Sequence, residues 1–117
     1  MIKRLSAYWL PQGTDPDKFW KYHTQVHTKD VIPFVGQALK KYTISRITKL
    51  ISGELPKPEM FAVIEMWWES EEAMNEAIKK IQDNKLPNGK TVWEDFWTQV
   101  AGGFTAVTEE CVAKDIT

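Results

Sequence analysis

The chain has 117 residues, 43% hydrophobic and 26% charged, with fifteen basic residues against sixteen acidic ones. That length suits one compact domain spanning 1–117, and the composition excludes a disordered chain. Balanced charge without a basic stripe argues against nucleic acid as a partner, and the single cysteine, Cys111, excludes a disulfide framework.

In chain order, "IKRLSAYWL" (2–10) has a loose period of two and predicts a strand, broken by "PQGT". The first apolar run stops at Pro11, too short for a signal peptide, and no stretch approaches a membrane span; the expectation is a cytoplasmic protein with no membrane partner. Asp15 is a helix N-cap with Pro16 at the first helical position. The predicted helix runs to about Thr28, with Phe19, His23 and Val26 on one face and Trp20 and His27 beside them. "VIPFVG" is expected to bend at Pro33 and Gly36. "KKYTISRITKLI" (40–51) alternates and predicts a second strand, and "SGELPKPE" a loop. "MFAVIEMWWE" (60–69) predicts a third strand, apolar on both faces apart from Glu65, hence covered on both sides. Ser70 caps a predicted helix over 71–83, whose buried stripe is Ala73, Met74, Ala77, Ile78 and Ile81. After the turn "NKLPNG", "TVWEDFWTQV" (91–100) predicts a short helix with Val92, Trp93, Phe96, Trp97 and Val100 inward. The glycine pair that follows ends it, and "FTAVTEECV" (104–112) predicts a fourth strand.

This order predicts an α+β, ferredoxin-like βαββαβ domain with an extra short helix before the last strand. Six Trp, five Phe and three Tyr are much flat apolar surface for so short a chain. An apolar outer sheet face needs a cover, so a homodimer with facing sheets is expected, with Phe61, Val63 and Trp67 toward the partner.

"DPDKFWKYHTQVHTKDV", "LKKYTISRI", "IEMWWESEEAM" and "FTAVTEE", in succession over nearly the whole chain, resemble the EthD-like family of dimeric α+β barrels. Each motif alone is short; the resemblance lies in their order and spacing. The recurring family features fall on Phe19, His27, Glu65 with Trp67 and Trp68, and Glu109 with Glu110. The family histidine is often followed by proline or a small residue then proline, whereas Thr28 and Lys29 follow His27. The resemblance implies a small apolar pocket between sheet and helices that moves protons without a cofactor. Members and relatives include 4-methylmuconolactone methylisomerase, fungal polyketide decarboxylases, polyketide cyclases and cofactor-free anthrone oxygenases.

Two histidines four apart on a helix can share a metal, but the third and fourth ligands are missing from the pattern, so no metal is expected. His23, central in its stripe, reads as a packed imidazole with one hydrogen bond, a possible support to the site. His27, expected near a helix C-terminus and among tryptophans, feels opposed effects on its pKa, which suits a general acid or base near neutrality. Its alternative is a helix-end cap. Tyr8 and Tyr42 are candidate oxyanion donors or half-buried strand aromatics, with Tyr8 favoured as a catalytic partner and Tyr42 as a substrate contact. Trp68, Phe19, Trp20, Trp93 and Trp97 complete the expected substrate wall. Glu65, buried alone, needs a partner, which Arg46 or Arg4 could supply. It shares the partner-facing side with Trp67.

The functional expectation is cofactor-independent proton transfer on a small aromatic, lactone or polyketide-like molecule: decarboxylation, isomerisation or cyclisation. A cofactor-free oxygenase with the same pocket, and a non-catalytic metabolite-binding or accessory protein, are the alternatives.

Overall fold

A computed structural model describes residues 2–57 and 59–114. Strands β1 (Ile2–Trp9), β2 (Leu39–Arg46), β3 (Met60–Trp68) and β4 (Gly102–Thr108) form one antiparallel sheet in the order β2-β3-β1-β4. Helices α1 (Pro16–Tyr22) and α2 (Thr28–Val35) precede β2, while α3 (Glu71–Asp83) and α4 (Val92–Trp97) follow β3. This is the expected α+β, ferredoxin-like plan with its extra short helix. Three helix starts are capped by side chains: Asp15 accepts from the N–H groups of Asp17 and Lys18, Ser70 from Ala73, and Thr91 from Glu94 in a full capping box. Among the described residues no helix is long and apolar enough to cross a membrane.

Cross-strand pairs place Arg4, Ser6 and Tyr8 with Ala62, Ile64 and Met66 on one face of the sheet. On that face the Tyr8 ring packs against Phe19 of α1 and Phe96 of α4. Tyr8, Trp68, Phe96, Ile81, Val31 and Val92 are the best-buried large apolar side chains. Lys3, Leu5, Val63, Glu65, Trp67 and Phe104 belong to the opposite face by the same register.

Several sequence expectations need correction. The first helix does not end near Thr28. A π-helical segment, His23–His27, joins α1 to α2, and the chain stays helical to Val35 with Pro33 inside. Burial of Val31 and Val35 holds α2 in place despite its proline, and Gly36, at φ 57°, ends it. The extra residue of the π turn shifts the phase of the buried face, so Val26 is half exposed rather than in the stripe. The second strand stops at Arg46, not at residue 51, because its partner β3 begins only at Met60. Gly102 and Gly103 do not end a helix; they open β4. A Cβ there would meet the Trp9 ring at 2.6 Å, or the Ala7 carbonyl at 2.4 Å and the Trp97 ring at 2.7 Å. β4 ends at Thr108, so Glu109 and Glu110 lie beyond it. Finally, Tyr8 pairs with Ala62 but Trp9 with Met60. That irregularity turns Phe61 into the helix-side core beside Tyr8, Phe19 and Trp20, away from the expected partner face.

Candidate functional site

The site forms where the π segment crosses the sheet. Thr28 N–H donates to the His23 carbonyl, five residues back, which closes the wider turn. His23 and His27 flank it, both buried, with ring centroids 5.4 Å apart. Each packs on Phe96: His23 at 4.6 Å, and His27 stacked at 4.4 Å with planes 27° apart.

The two rings have different neighbours. His23 is fully buried, and its Nδ1 lies 2.7 Å from the Tyr8 hydroxyl. Among the described residues its buried Nε2 has no hydrogen-bond partner. His27 instead lines a small cavity with Ser6, Tyr42, Trp93, Phe96 and Trp97. Val31, Ile64 and Met66 complete its wall. The void measures about 10 Å³, room for one water molecule. Tyr42 has a second side. It also lines an open cleft of about 510 Å³ between α2 and the edge strand β2. The cavity and the cleft therefore meet at this one side chain.

Burial sets the charge state of every group here. It lowers His27 from the ordinary 6.5 to about 4, and the Asp95 carboxylate on α4 offsets only part of that. Burial, helped by His27, lowers His23 to about 3. The expected balance that would keep His27 near neutrality fails for a structural reason: its helix continues, so no helix C-terminus supports the imidazolium. Burial also pushes the phenols of Tyr8 and Tyr42 up, so both keep their protons. At pH 7 the cavity thus holds a neutral imidazole and a protonated phenol. Trp93 adds a buried indole N–H that has no hydrogen-bond partner among the described residues.

Of the residues singled out in the sequence, His27, Tyr42, Trp93 and Trp97 come together around the cavity. Tyr8 does not line it; its hydroxyl is engaged with His23 inside the core. Phe19 packs in the same core, Trp20 lies half-buried beside Phe61, and Trp68 is fully buried on the helix-facing side with its indole nitrogen unpartnered. Glu65 pairs with Lys3 on the opposite sheet face, not with Arg46 or Arg4. The register explains this. Arg46 opposes Ala62 and Arg4 opposes Met66, both on the helix side, where Arg46 bonds Asp17 at 2.9 Å and Arg4 stacks on Trp93. Sequence reasoning passed over Ser6 and the role of Phe96 as the platform for both imidazoles. Among the described residues no three His, Cys, Asp or Glu side chains gather as a metal site.

No family model matches the chain, and no curated protein does. Solved structures do. An EthD-family protein from Bacillus halodurans superposes with a TM-score of 0.67 at 19% identity, over 95% of this chain and 99% of its own. The fold is the ferredoxin-like α+β one seen in this EthD-family structure. A dimeric ferredoxin-like protein of unknown function from Thermobifida fusca gives 0.60 at 17% identity, covering 92% of this chain and 88% of its own. SnoaB, a cofactor-independent oxygenase from Streptomyces nogalater, gives 0.60 at 12% identity, with 97% of each chain covered. At such identities this EthD-like likeness speaks for the architecture alone.

Proposed function

We propose that this protein is a cofactor-independent enzyme that moves a proton on a small cyclic or aromatic substrate, with His27 as the general acid–base group. The observation that supports this reading is the pairing of a neutral, buried imidazole with hydroxyl and indole donors around one small cavity. A neutral imidazole takes a proton from carbon next to a carbonyl: the C–H bond breaks, an N–H bond forms, and the electron pair moves to the oxygen as an enolate. Tyr42 O–H or Trp93 N–H would donate to that oxygen. Returning the proton to another carbon isomerises the molecule; in a β-keto carboxylate, breaking the C–C bond with loss of carbon dioxide leaves its electron pair as the same enolate, which then takes a proton. Tyr8 is reassigned here from oxyanion donor to support of His23. Because the cavity has room for no more than one water, substrate enters by displacing Tyr42 from the cleft side, and closure behind it excludes water.

The test is deuterium exchange from D2O into a panel of cyclic 1,3-diketones and unsaturated lactones, followed by proton NMR. The folded protein should exceed the buffer rate, His27→Gln should lose roughly 100- to 10,000-fold, and His23→Gln should lose far less. Equal exchange by His27→Gln and the native protein would sink the assignment. Oxygen uptake with an anthrone separates this chemistry from an oxygenase. A homodimer belongs to the same proposal. Leu5, Val63, Trp67 and Phe104, the last 48% exposed, share the sheet face turned away from the helices, and neighbours of this fold are described as dimeric. Phe104→Lys should convert the dimer mass seen by light scattering to that of a monomer; a native monomer at micromolar concentration would contradict it.

A further inference from the structure

Arg4 stands on the helix-facing side of β1, opposite Met66 of β3 and Val107 of β4. Among the described residues the ion pairs join Lys3 to Glu65 and Glu110, and Arg46 to Asp17, and leave Arg4 out. Burial lowers the pKa of its guanidinium from the ordinary value, and no carboxylate opposes that. The group nonetheless keeps its proton, because arginine stays charged in a folded protein. A half-buried charge without a counter-ion is costly and needs a reason. The contact that holds it is aromatic: its Cζ lies 4.6 Å from the centre of the Trp93 ring. Arg4 and Trp93 share a hollow of about 460 Å³ with Ile78 and Gln82 of α3 and Glu94 and Trp97 of α4. Glu94, the carboxylate of that hollow, accepts from the Thr91 N–H instead. Trp93 also lines the His27 cavity, which Arg4 does not. The indole thus touches both the cation and the cavity, and its N–H is buried with no acceptor among the described residues.

We propose that Arg4 is a positioning residue for the reaction: its charge, held over the Trp93 ring, strengthens the indole N–H as the donor that receives the developing enolate oxygen. The inference rests on the proton-transfer reading, which supplies that oxygen. A cation on the face of an indole draws π density toward itself and away from the ring nitrogen. The N–H becomes more positive and a stronger donor to an anion. The unpartnered N–H and the uncompensated charge then explain one another, because an oxyanion at Trp93 accepts from the first and offsets the second. A neutral substrate gains little from a polarised donor, whereas its enolate gains much, so the effect falls on the barrier more than on binding. Arg4 itself transfers no proton.

The experiment measures binding of 4-nitrophenolate, a stable oxyanion on a flat ring, by absorbance titration of the full chain at a pH where the phenol is ionised. Arg4→Met keeps an apolar stem over Trp93 and breaks no ion pair. It should weaken the anion roughly tenfold, the scale of one desolvated cation–π contact. Arg4→Lys, which keeps the charge, should recover most of that loss. In a Trp93→Phe background, where a ring remains and the N–H is gone, Arg4→Met should have little further effect. Thermal melting checks that each variant folds, with Arg4→Gln as a second neutral variant. In deuterium exchange into α-angelica lactone, Arg4→Met should lower kcat and leave KM nearly unchanged. Several results overturn the inference: no binding of 4-nitrophenolate, binding indifferent to Arg4→Met, a loss that Arg4→Lys does not recover, a full loss that persists without the Trp93 N–H, or an exchange defect carried by KM alone. The two proposals fail separately. Arg4-dependent anion binding with exchange indifferent to His27→Gln removes the acid–base assignment and leaves the oxyanion donor standing. His27-dependent exchange with anion binding indifferent to Arg4 does the reverse.

Discussion

His23 and His27 are the same residue four positions apart, and their neighbours give them different work. His23 Nδ1 and the Tyr8 hydroxyl form a pair inside the core at 2.7 Å. Tyr8 keeps its proton, so it donates, and His23 carries its own proton on the unpartnered Nε2. Tyr8→Phe removes the donor and leaves both His23 nitrogens unpaired. It should cost about 1–3 kcal/mol in urea unfolding while changing exchange turnover only a few-fold. A silent effect on stability with turnover abolished would return Tyr8 to the substrate. The sequence made one packed histidine legible, because Phe19 and His23 share a helix face. It did not reveal the Tyr8 bond, since that contact joins a strand to a helix through tertiary packing.

The element that decides the site is the helix containing the π turn. Phe19, His23, His27, Val31 and Val35 are all buried and spaced strictly by four. An α-helix drifts about 40° at each such step, so five buried residues in that series do not share one face of a regular α-helix. The wider turn absorbs the drift. That spacing is a readable signal of the π segment, whereas the sequence reading ends the helix near Thr28 and bends the chain at Pro33 and Gly36. The glycine pair misled in the same way, because a Gly-Gly after a helix usually ends it. Here the reason for glycine is proximity: Trp9 and Trp97 lie over β4. Gly103→Ala would force its Cβ against a backbone carbonyl and the Trp97 ring, a wall of the cavity. It should lower stability by about 1–3 kcal/mol and disturb exchange together. Thermal melting of the variant within a degree of the native protein would show that β4 can shift and that Trp97 is not fixed by it. By contrast, the order of elements along the chain, the caps at Asp15 and Ser70, and the apolar run of β3 follow from local chemistry that a sequence displays directly.

At the scale of the whole molecule, sheet, helix and α4 together remove the two imidazoles from water, and that burial carries a pH signature. Both histidines have folded-state pKa values below the ordinary 6.5, at about 3 and about 4. The unfolded chain therefore binds more protons between those values and 6.5, and stability rises with pH across that window. It is fully present above about 6.5 and lost as pH falls toward 4. Between pH 6.5 and 5, where most carboxylates stay ionised, the urea midpoint should fall, with a slope approaching about 1.4 kcal/mol per pH unit for each histidine. His27→Gln should roughly halve that slope; a slope unchanged by the substitution would mean that His27 is protonated in the fold. The functional reading depends on an imidazole that is neutral and dry at working pH. The direct measurement is NMR titration of the two histidine side chains with nitrogen-15 in the rings. His27 should show the neutral pattern at pH 6 and protonate only near pH 4, with His23 lower still. A His27 midpoint at or above 6.5 would mean a ring as solvated as a free imidazole, and the water-excluding site described here would not exist.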